Sequence, residues 1–268
     1  MKYTIGEFAE LLGVTVDTLR LYEKYGIIKP VKSKSNNYRY FNDFDARNML
    51  MSRWYRSMGF PIQEVAGLIK NDSFEQIAEL MYQKQLELEE EIKQKTLVVE
   101  KMSEIIKSIH DIPNIESKCR LKELPGIYRI RQTKKNEFVK DGISGEIVED
   151  WMRSLPHTFF SFRINYKKLY AEEKSFDYNW GLALFEEDIK KIKIKIDQGV
   201  EYIEPNQYVS SVIVSDSDYL TRADLQFMFD YIQANNYVIN GDIFGRIILT
   251  EKSKDTRYTA LEVNIPIE

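Results

Sequence analysis

The feature that most constrains the fold is a stretch, residues 73–109, that contains no proline or glycine and is rich in Glu, Lys, Gln and Leu. Apolar residues recur along it every three or four positions, which predicts one continuous helix about 55 Å long at ~1.5 Å per residue. Ser73 and Gln76 are spaced to form a capping box at its start, and we expect Pro113 to end it. The apolar positions are Ile77, Met81, Leu88, Ile92, Val99, Met102, Ile106 and Ile109, with Lys84 and Lys95 interrupting the series.

An apolar stripe this narrow on so long a helix needs a partner surface. A coiled coil with a second copy of the chain is the simplest partner, and packing against the C-terminal part of the same chain is the alternative. The helix also divides the sequence. We predict a first domain at residues 1–72, a dimerisation helix at residues 73–112 and a second domain at residues 113–268.

The first part of the chain has the pattern of two short helices joined by a tight turn. Phe8, Leu11 and Leu12 mark one buried face of the first helix. Gly13 is placed to end that helix in the left-handed conformation, and Thr15 to cap the next one. A second helix held in this way is the one that enters the major groove of DNA.

On the second helix the apolar positions face inward, so Asp17, Thr18 and Arg20 are left on the outer surface. The planar guanidinium of Arg20 suits phosphates and base edges, although an ordinary solvated arginine is the alternative. Further on, residues 35–37 form a turn cluster, and residues 38–41 favour a strand. This predicts a small hairpin, or wing, whose basic residues lie along a phosphate backbone.

These residues carry a family resemblance. The segments are Thr4–Glu7, Thr18–Glu23, Gly26–Pro30, Tyr38–Tyr40 and Met58–Val65. Residues 3–69 resemble the MerR family of bacterial transcription regulators. The resemblance implies a winged helix-turn-helix domain, a long helix in an antiparallel coiled-coil homodimer, and binding to double-stranded promoter DNA.

The resemblance also guides the choice of DNA-binding residues. Leu21 stands where many members of the family carry a second tyrosine beside Tyr22, so the phosphate contact of that tyrosine is missing here. Arg56 stands where multidrug-sensing members place a basic phosphate contact. The predicted DNA-binding residues are Thr15, Asp17, Thr18, Arg20, Tyr22, Lys32, Tyr38, Arg39 and Arg56.

Charge is unevenly distributed along the 268 residues, whose net charge is −4. Residues 1–72 carry 11 Lys and Arg against 8 Asp and Glu, a net charge of +3, so the rest of the chain carries −7. A basic N-terminal domain, the head, followed by an acidic remainder concentrates the attraction for DNA at one end of the chain. The single cysteine, and the lack of a membrane-length apolar run or leader, predict a cytoplasmic protein with no membrane partner.

From Cys119 onward the pattern changes to short strands with intervening helices. We predict the order strand, helix, strand, strand, followed by the same order again, and a ligand groove between the two units. The first unit has strands within residues 119–130, 159–166 and 178–186 and a helix near 143–153. The second has strands at 208–214 and 237–244, a helix near 221–235, and a last strand at either 246–249 or 259–267.

This half is similar to GyrI-like effector-binding domains. The similarity rests on Leu124–Tyr128 near its start and Leu261–Ile267 at its end. With the N-terminal head and the long helix, the α+β chain resembles the BmrR-like multidrug sensors. That resemblance implies a ligand-responsive activator that distorts promoter DNA and acts on RNA polymerase indirectly, through the DNA.

A ligand site is predicted from aromatic residues and one carboxylate. Aromatic rings crowd residues 159–185, although the second domain as a whole is not enriched in them and most of the rings would serve as core. Aromatic faces attract flat or cationic ligands. On a strand, Glu262 lies on the side opposite the core residues, so it faces either solvent or the groove. The predicted ligand-binding residues are Tyr128, Tyr166, Tyr178, Trp180 and Glu262, for a lipophilic aromatic, cationic ligand.

Three alternatives remain. Metal sensing needs several soft ligands, but only Cys119, His110 and His157 are present and they are scattered, so we expect no metal or other cofactor. A GyrI-like hydrolase would use Glu262 with Tyr128, although no spacing demands it, and we expect a protein that is not an enzyme. A plain repressor without a ligand would fill the groove with its own side chains.

Overall fold

The computed structural model describes residues 2–33, 38–70, 73–134, 137–139, 144–166, 176, 178–192, 194–217, 220–253 and 256–268. The chain forms two compact units, Met1–Gln94 and Lys95–Glu268. The N-terminal unit is mainly helical, and the C-terminal unit is built on a large β-sheet. The chain therefore has the predicted α+β architecture.

The N-terminal unit contains the predicted helix-turn-helix and wing. Its elements are β1 (Tyr3–Thr4), α1 (Ile5–Leu12), α2 (Val16–Lys24), β2 (Val31–Lys32), β3 (Arg39–Phe41), α3 (Asp43–Ser57) and α4 (Ile62–Lys70). Strands β2 and β3 pair antiparallel, and β3 also pairs with β1 in a three-stranded sheet. The wing is thus confirmed as a hairpin, while its predicted turn at residues 35–37 lies outside the described residues.

Local side-chain and backbone chemistry sets the ends of the first two helices. Gly13 has φ +61° and donates its N–H to carbonyls of the last turn of α1, as predicted for a C-cap. The Thr15 hydroxyl accepts the backbone N–H of Thr18 at 3.1 Å, which confirms the predicted N-cap of α2. Phe8 is buried, but Leu11 is 65% exposed, so its predicted place in the core is wrong.

Helix α5 runs unbroken over Phe74–Ile115. The Ser73 N–H donates to Gln76 Oε1 at 2.8 Å, completing the predicted capping box. The prediction that Pro113 ends the helix is wrong, because a proline in the last turn removes only one backbone hydrogen bond there. The chain leaves the helical conformation at Ser117, which has φ +54° and donates its N–H to the Val212 carbonyl at 2.9 Å.

The C-terminal unit follows the predicted order of elements. Its elements are β4 (Arg120–Leu124), β5 (Ile127–Arg131), β6 (Thr133–Lys134), β7 (Glu137–Phe138), α6 (Gly145–Arg153), β8 (Phe159–Ile164), β9 (Tyr178–Phe185), α7 (Glu186–Ile192), β10 (Glu201–Ile203), β11 (Asn206–Ser215), α8 (Arg222–Ala234), β12 (Ile243–Ser253) and β13 (Thr256–Ile267). Eight strands form one sheet in the order β10-β5-β9-β8-β12-β13-β11-β4. The unit β5-α6-β8-β9 is repeated as β11-α8-β12-β13, and the two repeats meet where β8 pairs with β12.

The second repeat departs from the prediction at one strand. The strand expected at residues 237–244 begins only at Ile243. Asn236 has φ +58°, and the Tyr237 N–H donates back to Ile232 at 3.1 Å, so these residues close helix α8 instead of extending. Both alternatives for the last strand exist, as parts of β12 and β13, which pair antiparallel.

The sheet has two chemically different faces. We call one the helix face, because Phe162 and Leu261 on it share an apolar cluster with Leu225 of α8. We call the other the charged face, because it carries the pair formed by Arg246 and Glu262, which lie directly opposite each other on β12 and β13. Successive residues of a strand point to opposite faces, so neighbours in sequence serve different sites.

Candidate functional sites

The start of α2 presents a polar surface to solvent. Arg20 Nη1 lies 3.0 Å from Asp17 Oδ1, and the two side chains are 66% and 86% exposed. The hydroxyls of Thr15 and Thr18 lie 2.9 Å apart. Tyr22 differs from these predicted DNA-binding residues, because it is only 7% exposed and belongs to the core of the head.

The wing is tied to α2 by an ion pair. Arg39 Nε lies 3.0 Å from Glu23 Oε1, and both side chains are partly exposed. Lys32 is exposed directly across the hairpin from Arg39, and Tyr38 is 64% exposed. A phosphate near Arg39 would compete with Glu23 for the same guanidinium.

Arg56 is exposed to solvent and is also hydrogen-bonded to the nearby backbone. Its Nη1 donates to the Phe60 carbonyl at 3.0 Å at the end of α3. Arg53, one turn earlier, donates to the Leu12 carbonyl at 3.0 Å and is exposed. The sequence did not single out Arg53, since nothing in its local pattern shows that α1 ends beside it.

Glu262 lies on the charged face and is 3% exposed, so the alternative that it faces solvent is wrong. Its Oε2 accepts from Arg246 Nε at 2.7 Å, its Oε1 accepts from Lys122 Nζ, and Arg120 Nη2 lies 3.7 Å away. Burial alone would raise the pKa of Glu262, but Arg246 and Lys122 outweigh it and hold the pKa below its usual range. The carboxylate is therefore ionised and already compensated by three cations.

Tyr128 and Glu262 do not meet in one site. Tyr128 packs against Tyr202 with ring centroids 4.7 Å apart. In the sheet, β5 lies four strand spacings from β13, which is about 19 Å at ~4.8 Å per strand. The arrangement considered for a hydrolase, with these two residues acting together, is not formed.

Tyr178 and Trp180 line a cavity of about 200 Å³ on the helix face. Trp180 meets Phe162 edge-on, with centroids 5.4 Å apart, and Tyr178 at 6.3 Å. The other lining residues are Ile164, Phe176, Asp216, Ser217, Leu220, Ile247, Thr250, Arg257, Thr259 and Leu261.

The remaining predicted ligand residue, Tyr166, lies at a different place. It lines a cavity of about 440 Å³ with Phe229 and Gln233 of α8, and its N–H donates to Asp242 at 3.1 Å. Glu262 lines a third cavity, of about 90 Å³, together with its cations. The structure thus distributes the five predicted ligand residues over several sites and keeps only Tyr178 and Trp180 together.

No group of three or more metal-ligating side chains occurs among the described residues. Cys119 is partly buried, and burial raises the pKa of its thiol, which does not favour the thiolate that metals bind. Within the same described ranges, no helix has the length and apolar character needed to cross a membrane.

Comparisons with known proteins agree with the architecture of the head. Residues 4–41 match the model of the MerR family regulatory protein. The HTH-type transcriptional activator TipA of Streptomyces coelicolor is 34% identical over 86 residues, which are 32% of this chain and 34% of that protein. The multidrug-efflux transporter 2 regulator of Bacillus subtilis is 29% identical over 90 residues, which are 34% of this chain and 33% of that protein.

The similarities to the curated relatives cover limited lengths. The chain spans about a third of the length of the curated relatives it matches. A cryo-EM structure of an EcmrR–DNA complex aligns with 99% of this chain and 99% of that one, at 19% identity and a TM-score of 0.38.

Proposed function

We propose that the protein is a DNA-binding transcriptional regulator that responds to a small ligand, on the premise that residues 4–41 match the model of the MerR family regulatory protein. The observation that carries the proposal is the exposed surface of α2 and the wing within the matched residues 4–41. Arg20, Lys32 and Arg39 are all exposed there, on a segment of net positive charge.

In this proposal α2 enters the major groove and the wing follows the phosphate backbone. Arg20 and Thr18 reach base edges or phosphates from the start of α2, whereas Asp17 can only accept a hydrogen bond from a base edge. Thr15 supports them as the N-cap. Lys32, Tyr38, Arg39 and Arg56 contact phosphates, which position the protein without reading sequence. Tyr22 supports α2 from within the core, and only an edge of its ring is accessible to DNA.

We propose that the protein is a homodimer held by α5 in an antiparallel coiled coil. Ile92, Val99, Met102 and Ile106 are between 50% and 65% exposed in the single chain, although they belong to the predicted apolar stripe. Covering this stripe with a second copy removes apolar surface from water, at roughly 25 cal/mol per Å². The domain limits 1–72, 73–112 and 113–268 are part of this proposal.

The proposed regulation depends on the two N-terminal domains of the dimer, the heads (residues 1–72), being held at a fixed spacing. Such a dimer bound to two half-sites within a promoter imposes a bend or twist on the DNA between them, at a cost of order 1–6 kcal/mol. A ligand that binds one conformation better than the other shifts the heads and realigns the promoter for RNA polymerase. TipA is named an activator, which supports activation over release.

The proposed ligand is a lipophilic aromatic compound bound by a GyrI-like C-terminal domain. The name of the Bacillus subtilis relative, a regulator of a multidrug-efflux transporter, supports a ligand of this kind. The charge of the ligand depends on where it binds. A cation at Glu262 would have to displace Lys122 and Arg246, whereas the aromatic cavity at Tyr178 and Trp180 makes no such demand.

The DNA-binding proposal is tested through the salt dependence of affinity. A duplex selected from a random-sequence pool is titrated with the wild type, Arg39→Ala and Arg153→Ala at several salt concentrations. Arg153 is a matched control, because it is exposed on α6 and paired with Glu149. Loss of one phosphate contact per protomer should weaken binding and lower the salt slope of the dimer by about 2, since each contact contributes about 0.9.

An unchanged slope for Arg39→Ala would make this residue a structural part of the wing. An equal loss for Arg153→Ala would show that the effect is one of net charge. Footprinting on the same duplex, with and without ligand, tests the mode of action. A footprint that vanishes with ligand identifies a releasing repressor, and one that persists with altered central cleavage supports activation by distortion.

A further inference from the structure

We infer that the cavity lined by Tyr178 and Trp180 binds an uncharged, planar aromatic compound of one or two fused rings, and that Glu262 takes no part in this binding. The inference rests on the proposed function, in which the C-terminal unit receives a small ligand. It assigns that ligand to the helix face and specifies its charge and size.

The sheet itself separates the cavity from Glu262. Along β13, Thr259 and Leu261 line the cavity, while Glu262 points to the charged face. Along β12, Ile247 lines the cavity and Arg246 pairs with Glu262 on the other side. A ligand in the cavity is therefore on the opposite side of the strands from the carboxylate.

The lining favours an aromatic guest. Phe162 and Ile164 are buried at 3% and 2% exposure, and Tyr178 and Trp180 stand beside them, partly exposed. The Phe162 and Trp180 rings meet edge-on at 61°, and Tyr178 and Trp180 at 77°. Aromatic pairs prefer edge-to-face and offset contacts, so a planar ring between these side chains extends a packing pattern already present.

The position of Phe162 is fixed by its neighbour across the sheet. Phe162 pairs with Gly245 of β12, and a Cβ atom on Gly245 would overlap the Phe162 ring. The ring thus lies directly over the glycine and has no free space below it. The cavity therefore has a rigid aromatic wall, which reduces the entropy lost when a ligand binds.

Charge and volume define the class of ligand. The charged lining residues, Asp216 and Arg257, are exposed, so they lie at the solvent side of the cavity, and their opposite signs favour neither ion. A buried charge without a partner is costly, which selects an uncharged ring. A dry apolar cavity of about 150 Å³ is known to admit benzene. The volume here, about 200 Å³, fits one or two fused rings.

The experiment compares three ligands that share one ring system. Indole, tryptamine and indole-3-acetate are titrated calorimetrically into the full chain. We expect indole to bind at least tenfold more tightly than either charged relative. Trp180→Ala removes a wall of the cavity, and Ser217→Trp fills it from an exposed position that leaves the core intact. Each should weaken indole at least tenfold, while Tyr258→Ala, next to Thr259 but outside the lining, should keep the wild-type affinity.

Several results would overturn the inference. If tryptamine binds most tightly and Glu262→Gln abolishes its binding, the ligand site lies on the charged face, and the proposed ligand response survives. The cavity is equally excluded as the ligand site if Ser217→Trp leaves indole binding unchanged, or if indole gives no binding to protein that still binds DNA. Loss of DNA binding with intact indole binding would instead refute the proposed function and leave the cavity assignment standing.

Discussion

Replacing Glu262 with glutamine removes one buried negative charge while keeping the size of the side chain. Glu262 is 3% exposed and contacts Arg246 at 2.7 Å, Arg120 at 3.7 Å and Lys122. A glutamine amide accepts one of these hydrogen bonds but cannot compensate the cations. The variant therefore leaves three positive charges close together on the charged face.

The size of the expected loss in stability depends on how far solvent screens those cations. Removing one partner of a fully buried ion pair costs ~3–5 kcal/mol. Here the Arg246, Lys122 and Arg120 side chains are 24%, 28% and 44% exposed, so solvent lowers the penalty. We expect the free energy of unfolding of the C-terminal unit to fall by ~2 kcal/mol. For a unit of this size that lowers the melting temperature by about 4–8 °C.

The stability lost in Glu262→Gln should depend on pH in a defined direction. Because the folded-state pKa of Glu262 is depressed below its ordinary value of 4.5, the unfolded chain takes up the proton first as pH falls. The ionised carboxylate therefore contributes stability above about pH 4.5, and this contribution is lost as pH falls through the folded pKa. The difference in the free energy of unfolding between wild type and Glu262→Gln should be largest above pH ~4.5, and it should shrink as pH falls through the folded-state pKa.

Differential scanning calorimetry from pH ~3 to ~8 measures this gap, with Glu251→Gln as the control. Glu251 is an exposed carboxylate on the same strand as Arg246, so its loss changes the net charge equally without emptying a buried ion cluster. A melting temperature for Glu262→Gln equal to that of Glu251→Gln, or a gap that does not vary with pH, would refute the reasoning.

Three further results are expected. Replacing both Ile92 and Val99, 65% and 61% exposed, with Glu should give monomers in analytical ultracentrifugation; persistent dimers would place the interface elsewhere. Trp151→Ala should cost ~3–5 kcal/mol in urea unfolding, because Trp151 is fully buried; a loss below ~1 kcal/mol would contradict this. Gly13→Ala should cost ~1–2 kcal/mol, since Gly13 has φ +61°, whereas Gly6→Ala, with open space at its Cβ position, should cost nothing.

Features set by nearby residues were predictable from the sequence. Gly13 and Thr15 act on atoms within a few positions, so their roles as caps followed from residue type and spacing. The capping box of Ser73 followed in the same way. The length of α5 was underestimated only at its end, where Pro113 was given more weight than a last-turn position carries.

The environment of Glu262 was not predictable, because its partners come from distant strands. Lys122 lies 140 positions away in the sequence and Arg246 lies 16 away. Residues 260–267 are all buried, although alternation suggested one buried and one open side. The aromatic cavity was half predictable: Tyr178 and Trp180 were chosen by residue type, but nothing local indicates that Asp216, Ser217 and Leu220, which follow β11, line the same cavity.

Strand β13 lies inside the sheet, between β12 and β11, and it is formed by Thr256–Ile267. On a ribosome the N-terminal unit, Met1–Gln94, can therefore complete its contacts while the sheet is still missing an interior strand. Until residue 267 has emerged, β11 and β12 have no common neighbour, and the second repeat is incomplete. A newly made chain thus completes its N-terminal unit before its C-terminal sheet, and premature termination near the end would release the first without the second.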